Sequence, residues 1–599
     1  MSTENYLQLK LAGTRKSYSK PMATLGYSQP QVALKLPARL GLALLNLGLW
    51  LAPLAIPSPG QGAERIYIPY GPLEFSLPIA QLEVYAKEGR LEPELAFYAS
   101  HVEPQQLEQL REVLMAPIDV TPVAIAQFLY SPLGEQILQR FGEIIQTKAG
   151  QEGFYAIRAA LIKAAAYPEG LTLLNVLREF PTYGIRINST RSLEIVEDLS
   201  NLSRQTQMAI ETVNQQAIAQ AIAETNYQFP TQIQPGFSEL LDLRQLGSVR
   251  YSQQTLTLND LSRQRSFPVD LYLPATGGLA PLVVISHGLG SDRMTFAYLA
   301  NHLASYGFAV AVPEHPGSNA QQLDALSKGL ASEVTPPSEL IDRPLDVKFL
   351  LDELTRSFQG KLNLQQVGVL GQSFGGYTAL TLAGASINLE ELQQDCSSLN
   401  NSLNLSLLLQ CRAIELPPSQ YELADPRLKA AIAINPIGST IFGKSQIGQI
   451  QVPLMLVAGS NDTVSPALPE QIQPFTWLTT PQKYLVLLNK GTHFSALGAS
   501  TNSIELPEPV IGPDPVIAQN YMKALSVAFF KTYIAGQPEY QRYLSASYTQ
   551  FLSQDLMPLS LVNSLTPEQL MKLSATGESD TEEGDSLSDP QPETITLPR

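Results

Sequence analysis

The 599-residue sequence predicts an α/β protein, a mostly parallel sheet flanked by helices and preceded by a mainly helical region. Three observations carry this. From about residue 235 onward, short apolar, β-branched runs alternate with helical segments. The later runs are apolar at every position rather than at every second one, as strands covered by helices on both faces must be. Finally, Gly371-Gln372-Ser373-Phe374-Gly375-Gly376 joins one such run, Val367–Leu370, to the helix-forming stretch Tyr377–Ala383.

The chain divides by composition. Residues 1–39 are polar and basic, and 40–56 form an uncharged apolar run followed by small residues. Residues 1–63 therefore read as a basic region with a signal peptide or anchor, implying export to the periplasm or the outside, or tethering to a membrane through that run. Residues 64–235 read as a helical domain. Thr121-Pro122 and Ser131-Pro132 each place an N-cap before a proline suited to the first helical position, and Arg191–Thr225 reads as one long helix.

Residues 236–555 read as the α/β domain. Strands are expected at Val249–Leu258, Phe267–Leu273, Leu282–Ser286, Phe308–Val312, Val367–Leu370, Ala430–Ile434, Leu454–Ala458 and Tyr484–Leu488, the first two as an antiparallel edge pair. Helices are expected at Phe296–Ser305, Arg343–Ser357, Tyr377–Ala385 and Val516–Ile534. A lid-like insertion occupies about 385–427 and holds both cysteines, Cys396 and Cys411, which suit a local disulfide if the chain is exported. Residues 574–599 are acidic and lack aromatics, so they read as a disordered tail. A net charge of −16 argues against a nucleic-acid surface. The five histidines are not clustered, so no metal or other cofactor is expected.

A serine hydroxyl is a poor nucleophile unless a histidine takes its proton and an acid orients that histidine. G-x-S-x-G between a strand and a helix is the nucleophile elbow of an α/β-hydrolase, whose acid and histidine follow the serine in chain order. Ser373 is the candidate nucleophile, and His493 is the one histidine that follows it. Asp462, in Gly459-Ser460-Asn461-Asp462, is the candidate acid; a turn aspartate is the competing reading, and Asn435, one strand earlier, is a neutral competitor. The oxyanion donors are expected to be the N–H groups of Phe374 and of Leu289, in His287-Gly288-Leu289-Gly290. His287 reads as structural, His315 as a residue lining the substrate pocket, and His101 and His302 as surface residues.

With Ser286-His287-Gly288-Leu289-Gly290, Glu314-His315 and the Ser-Phe-Gly-Gly elbow in order, roughly residues 240–535 resemble platelet-activating-factor acetylhydrolases and related secreted lipases and esterases. The resemblance implies calcium-independent ester hydrolysis, with Leu289 and Phe374 as oxyanion donors. Two positions depart from that family: Gln372 stands where it has histidine, and Asn435 where it has the acid, which moves the acid to Asp462. The helical region resembles a domain of unknown function found ahead of cyanobacterial hydrolases. The expected function is a serine carboxylic-ester hydrolase acting on small-molecule or lipid esters. An acyltransferase or serine peptidase using the same residues, and a non-catalytic lipid-binding protein at a membrane, are the alternatives.

Overall fold

The computed structural model describes residues 62–227, 240–397, 404–500 and 508–570, all of which belong to one compact unit. The apolar run at 40–56, its cleavage or anchoring, and the acidic tail at 574–599 lie outside these residues. Among the described residues, no helix is long and apolar enough to cross a membrane.

The N-terminal region is helical but holds a sheet that its sequence hardly announces. Strands β1 (Arg65–Tyr70), β2 (Leu73–Pro78), β3 (Ile145–Thr147) and β4 (Gly184–Ile187) lie in the order β2-β1-β4-β3. β1 pairs in parallel with β4, more than a hundred residues away, so its partner cannot be read from local pattern. Around this sheet pack α1 (Ile79–Glu88), α2 (Pro93–Ala99), α3 (Pro104–Met115), α4 (Pro122–Leu129), α5 (Pro132–Ile144), α6 (Phe154–Ala164) and α7 (Leu173–Glu179). The two Pro-initiated helices begin as the sequence requires. Thr121 Oγ1 accepts from Ala124 N–H at 3.1 Å, and Ser131 Oγ from Gly134 N–H at 3.2 Å.

Helix α8 (Ser189–Tyr227) leads into the second region. Its apolar stripe Ala209, Val213 and Ala217 is buried in the core of the larger sheet. Glu224 accepts from the N–H groups of Ala546 and Ser547, at 3.1 and 2.9 Å, capping the helix Ala546–Leu552 where its dipole favours negative charge.

The larger sheet has nine strands: β5 (Tyr251–Asp260), β6 (Arg265–Pro274), β7 (Ala280–Ser286), β8 (Ala309–Pro313), β9 (Leu362–Gln372), β10 (Leu428–Ile434), β11 (Leu454–Gly459), β12 (Lys483–Leu488) and β13 (Leu559–Val562). Their order is β13-β12-β11-β10-β9-β7-β8-β6-β5. The six central strands are parallel, and at the edges β6 pairs antiparallel with β8, β5 with β6, and β13 with β12. Alternate residues feed two cores. Val284, Val369, Ala433 and Leu456 face α11 (Glu339–Ser357) and α12 (Phe374–Leu382), with α9 (Ala297–Ser305) and α10 (Ala320–Ser327) preceding them in the chain. Val283, Leu370, Ile432 and Val457 face α9 and the helix Pro515–Tyr533.

This order contains a switch point. After β7 the chain moves outward to β8, then returns across β7 to β9. Loops leaving β7 and β9 therefore diverge from one crevice at the carboxyl ends of neighbouring strands, where open α/β sheets bind ligands. Register holds those ends level: Ser286 lies opposite Gly371, and Ile434 opposite Gln372.

The inserted segment is braced from inside. Cys396 and Cys411 are disulfide-bonded. Buried Glu470 accepts from Ser406 Oγ and Gln410 Nε2, each at 2.9 Å, and from Gly438 and Ser439 N–H, at 3.0 and 3.1 Å, tying the segment to the chain leaving β10. His302, expected at the surface, is instead 1% exposed on the inner face of α9, with Nε2–H donating to Leu243 C=O at 2.9 Å.

Two outcomes follow from these contacts. The disulfide closes a loop of separation 15, so Cys396→Ser/Cys411→Ser should lower unfolding free energy in urea by about 3 kcal/mol. Burial pulls the His302 pKa down from 6.5 to about 4. Its folded pKa lies below its unfolded one, so its contribution is complete above pH ~6.5 and is lost as pH falls toward 4. At 1.36 kcal/mol per unit this is about 3 kcal/mol. Urea titrations at pH 7 and pH 4.5 should show a smaller acid loss in His302→Gln than in the native chain.

Candidate active site

β9 ends at Gln372, α12 begins at Phe374, and Ser373 between them has φ 56° and ψ −117°. That backbone is uncommon for a side-chain-bearing residue and costs on the order of 1–3 kcal/mol. Its neighbours must be glycine. A Cβ on Gly371 would lie 2.0 Å from Gly375 C=O oxygen, and one on Gly375 would lie 2.0 Å from Ser286 C=O oxygen. Ser373 N–H donates to Ile434 C=O at 2.9 Å, anchoring the turn to β10.

The other expected residues leave successive strands. Asp462 follows β11, and His493 follows β12. His493 Nε2 is 2.9 Å from Ser373 Oγ, and its Nδ1 is 2.7 Å from Asp462 Oδ2. Serine, histidine and carboxylate thus form one hydrogen-bonded row, with 9%, 5% and 6% of each residue exposed. Asp462 makes both sets of contacts at once. Its Oδ1 accepts from Val464 and Ser465 N–H at 2.9 and 2.7 Å, making the local turn, while Oδ2 meets the imidazole.

The two residues that depart from the acetylhydrolase pattern both brace this row. Asn435 (φ 43°) donates through Nδ2 to Asp462 Oδ2 at 2.7 Å and to Thr492 C=O at 3.1 Å. Gln372 donates through Nε2 to His493 C=O at 3.0 Å. Sequence reasoning weighed Asn435 as a rival acid and gave Gln372 no role. Their amide groups instead fix the carboxylate and the histidine loop, through contacts between residues far apart in the chain.

Leu289 and Phe374 lie where the sequence places them, in the loop leaving β7 and at the first position of α12. Among the described residues neither N–H has an acceptor in the chain. The β7 loop runs against the elbow: a Cβ on Gly288 would come within 2.4 Å of Gln372 Oε1 and 3.5 Å of Ser373 Cβ.

His315, expected to line the substrate pocket, does not. It is 0% exposed, with Nε2 3.0 Å from Ser286 Oγ and Nδ1 3.0 Å from Asp346 Oδ2. Both ring nitrogens are engaged behind the β7 loop, and burial holds its pKa well below 6.5. His287 is also fully buried, as a structural residue should be, and its pKa is likewise held well below 6.5 by burial. His101 is exposed.

The sheet order is that of the α/β-hydrolase fold, and a family model described as an α/β hydrolase of unknown function matches residues 62–188, ahead of the large sheet. Within that class the chain is similar to the platelet-activating factor acetylhydrolases. The model for platelet-activating factor acetylhydrolase, isoform II, matches residues 272–348, which carry the β7 loop, His315 and α11 through Asp346. A platelet-activating factor acetylhydrolase of Cavia porcellus is 27% identical over 143 residues, 18% of this chain and 32% of that protein. The chain thus spans about a third of the length of this curated relative.

Asn435→Ala would leave Asp462 Oδ2 and Thr492 C=O each short of a donor in a buried setting. Denaturant titration should show a loss of about 1–3 kcal/mol, with the elbow sequence untouched.

Proposed function

We propose that this chain is a serine carboxylic-ester hydrolase. The observation that carries the reading is the unbroken row Ser373–His493–Asp462, at 2.9 and 2.7 Å, beside two amides that have no acceptor among the described residues. His493 Nε2 takes the Ser373 proton as Oγ attacks the ester carbonyl carbon. The carbonyl oxygen becomes an oxyanion that accepts from Leu289 and Phe374 N–H. When the tetrahedral species collapses, the bond to the leaving alkoxide breaks, and His493 returns the proton to it. Water then attacks the acyl-enzyme with His493 again as base, releasing the acid and restoring Ser373. Asp462 keeps the proton of the neutral imidazole on Nδ1 and stabilises the cation formed after transfer.

The substrate class is a carboxylic ester with an apolar acyl or lipid part. Similarity to a platelet-activating factor acetylhydrolase directs the first panel to acetyl esters of that lipid, beside short- and medium-chain p-nitrophenyl esters. The Cys396–Cys411 disulfide supports action in an oxidising compartment.

Ser373→Ala should abolish turnover of every ester the native chain cleaves, and Asp462→Asn should lower kcat by about 10⁴-fold through the wrong imidazole tautomer. Turnover that survives Ser373→Ala unchanged would contradict the assignment.

A further inference from the structure

We propose that Arg343, acting with His287, is a positioning residue that orients the paired amides of Leu289 and Phe374; this rests on the ester-hydrolase reading above. Arg343 sits in the first turns of α11 and is 0% exposed. A buried cation ordinarily sits against a carboxylate. The carboxylate oxygen paired with Arg343, Glu339 Oε2, is 3.9 Å away, whereas the guanidinium is aimed at backbone. Nη1 donates to His287 C=O at 2.6 Å and Nη2 to Gly288 C=O at 3.3 Å. Nε donates to Ser318 Oγ at 2.8 Å. The guanidinium carbon, Cζ, lies over the Phe374 ring, 4.2 Å from its centre. One side chain therefore touches both segments that supply the amides.

The consequence follows from peptide geometry. Gly288 C=O and Leu289 N–H belong to one planar trans peptide and point in opposite directions, so fixing the carbonyl fixes the N–H. Glycine at 288 leaves ψ on one side of that peptide unusually free unless something holds it. Arg343 holds its carbonyl from one direction and His287 from another, with Nδ1 2.8 Å from the same oxygen. The His287 tautomer is set by its surroundings. Nε2 accepts His315 N–H at 3.1 Å, so the ring proton is on Nδ1 and donates to Gly288 C=O.

Behind Arg343 a buried polar cluster fixes its position. Ser318 Oγ donates to Glu339 Oε2 at 2.6 Å, and Arg265 pairs with Glu339 at 2.7 Å and Asp346 at 2.8 Å. His315 spans Ser286 and Asp346. Burial lowers the Arg343 pKa to about 9, which leaves it cationic at neutral pH.

The test compares full-length Arg343→Gln, Arg343→Lys and His287→Leu with the native chain. A fluorophosphonate counts functional sites, and kcat per counted site and KM are then measured on p-nitrophenyl butyrate. A trifluoromethyl ketone, which adds to serine Oγ to give a hemiketal oxyanion, reports on amide alignment. Per-site kcat should fall about 10- to 100-fold, less than the ~10²–10³ for outright loss of a donor. KM should stay unchanged, and the ketone Ki should rise in proportion to the loss in kcat/KM. Arg343→Lys, which keeps the charge but not the planar fork, should recover thermal stability without recovering kcat. If Arg343→Gln does not fold, His287→Leu reads the same carbonyl. A lower count of sites with native kcat per site would mean that the cluster only supports the fold, and would overturn this inference alone. Failure of the probe to label Ser373 in the native chain would overturn both this inference and the hydrolase reading.

Discussion

The left-handed backbone at Ser373 is the constraint on which the rest of the site depends. A residue with a side chain sits there only because its surroundings over-determine it. Gly371 and Gly375 have no room for a methyl, Ser373 N–H is fixed to Ile434, and β7 and β10 flank β9 on either side. The same turn starts α12 with the Phe374 amide adjacent to the serine, so strain, orientation and the positive end of a helix arise from one local geometry. Sheet order then supplies the remainder. Parallel strands with level carboxyl ends deliver Asp462 and His493 from β11 and β12, and the switch point brings the β7 loop alongside.

Around this turn the protein places neutral amide side chains, Gln372 and Asn435. Asn435 and Gln372 brace Asp462 and the His493 loop through neutral donors. An amide in contact with Asp462 adds a hydrogen bond without a second negative charge, which would otherwise compete for the proton of His493. Ionisable groups are gathered instead on the far side of the β7 loop, where Arg263, Arg265 and Arg343 meet Asp342, Asp346 and Glu339. Neutral groups therefore contact the Ser373–His493–Asp462 row, while the rear cluster lies against the loop beside it.

Much of this was legible in the residues themselves. Ser373, Asp462 and His493 each stand just beyond a buried apolar strand, and chain order in a parallel sheet leaves few ways to bring them together. The strands of the large sheet carry their own signal because burial on both faces demands continuous apolar runs. Side-chain direction is another matter. Position alone placed His315 after β8, but only packing against Asp346 and Ser286 turns its ring away from the crevice. His302 lies on a helix whose inward face cannot be told from its outward one without the neighbouring helix Pro515–Tyr533. The pairing within the small N-terminal sheet escaped because β1 and β4 meet across distant sequence. Arg343 gave no signal at all, since a lone arginine in an amphipathic helix reads as solvent-facing until its burial is seen.

The central claim is that Ser373, its imidazole and the two amides act on one carbonyl. A crystal structure of the chain phosphonylated by a fluorophosphonate tests it most directly. The account predicts phosphorus bonded to Ser373 Oγ, with the phosphoryl oxygen about 3 Å from both Leu289 N and Phe374 N. A label on another residue, or a phosphoryl oxygen turned away from both amides, would contradict it.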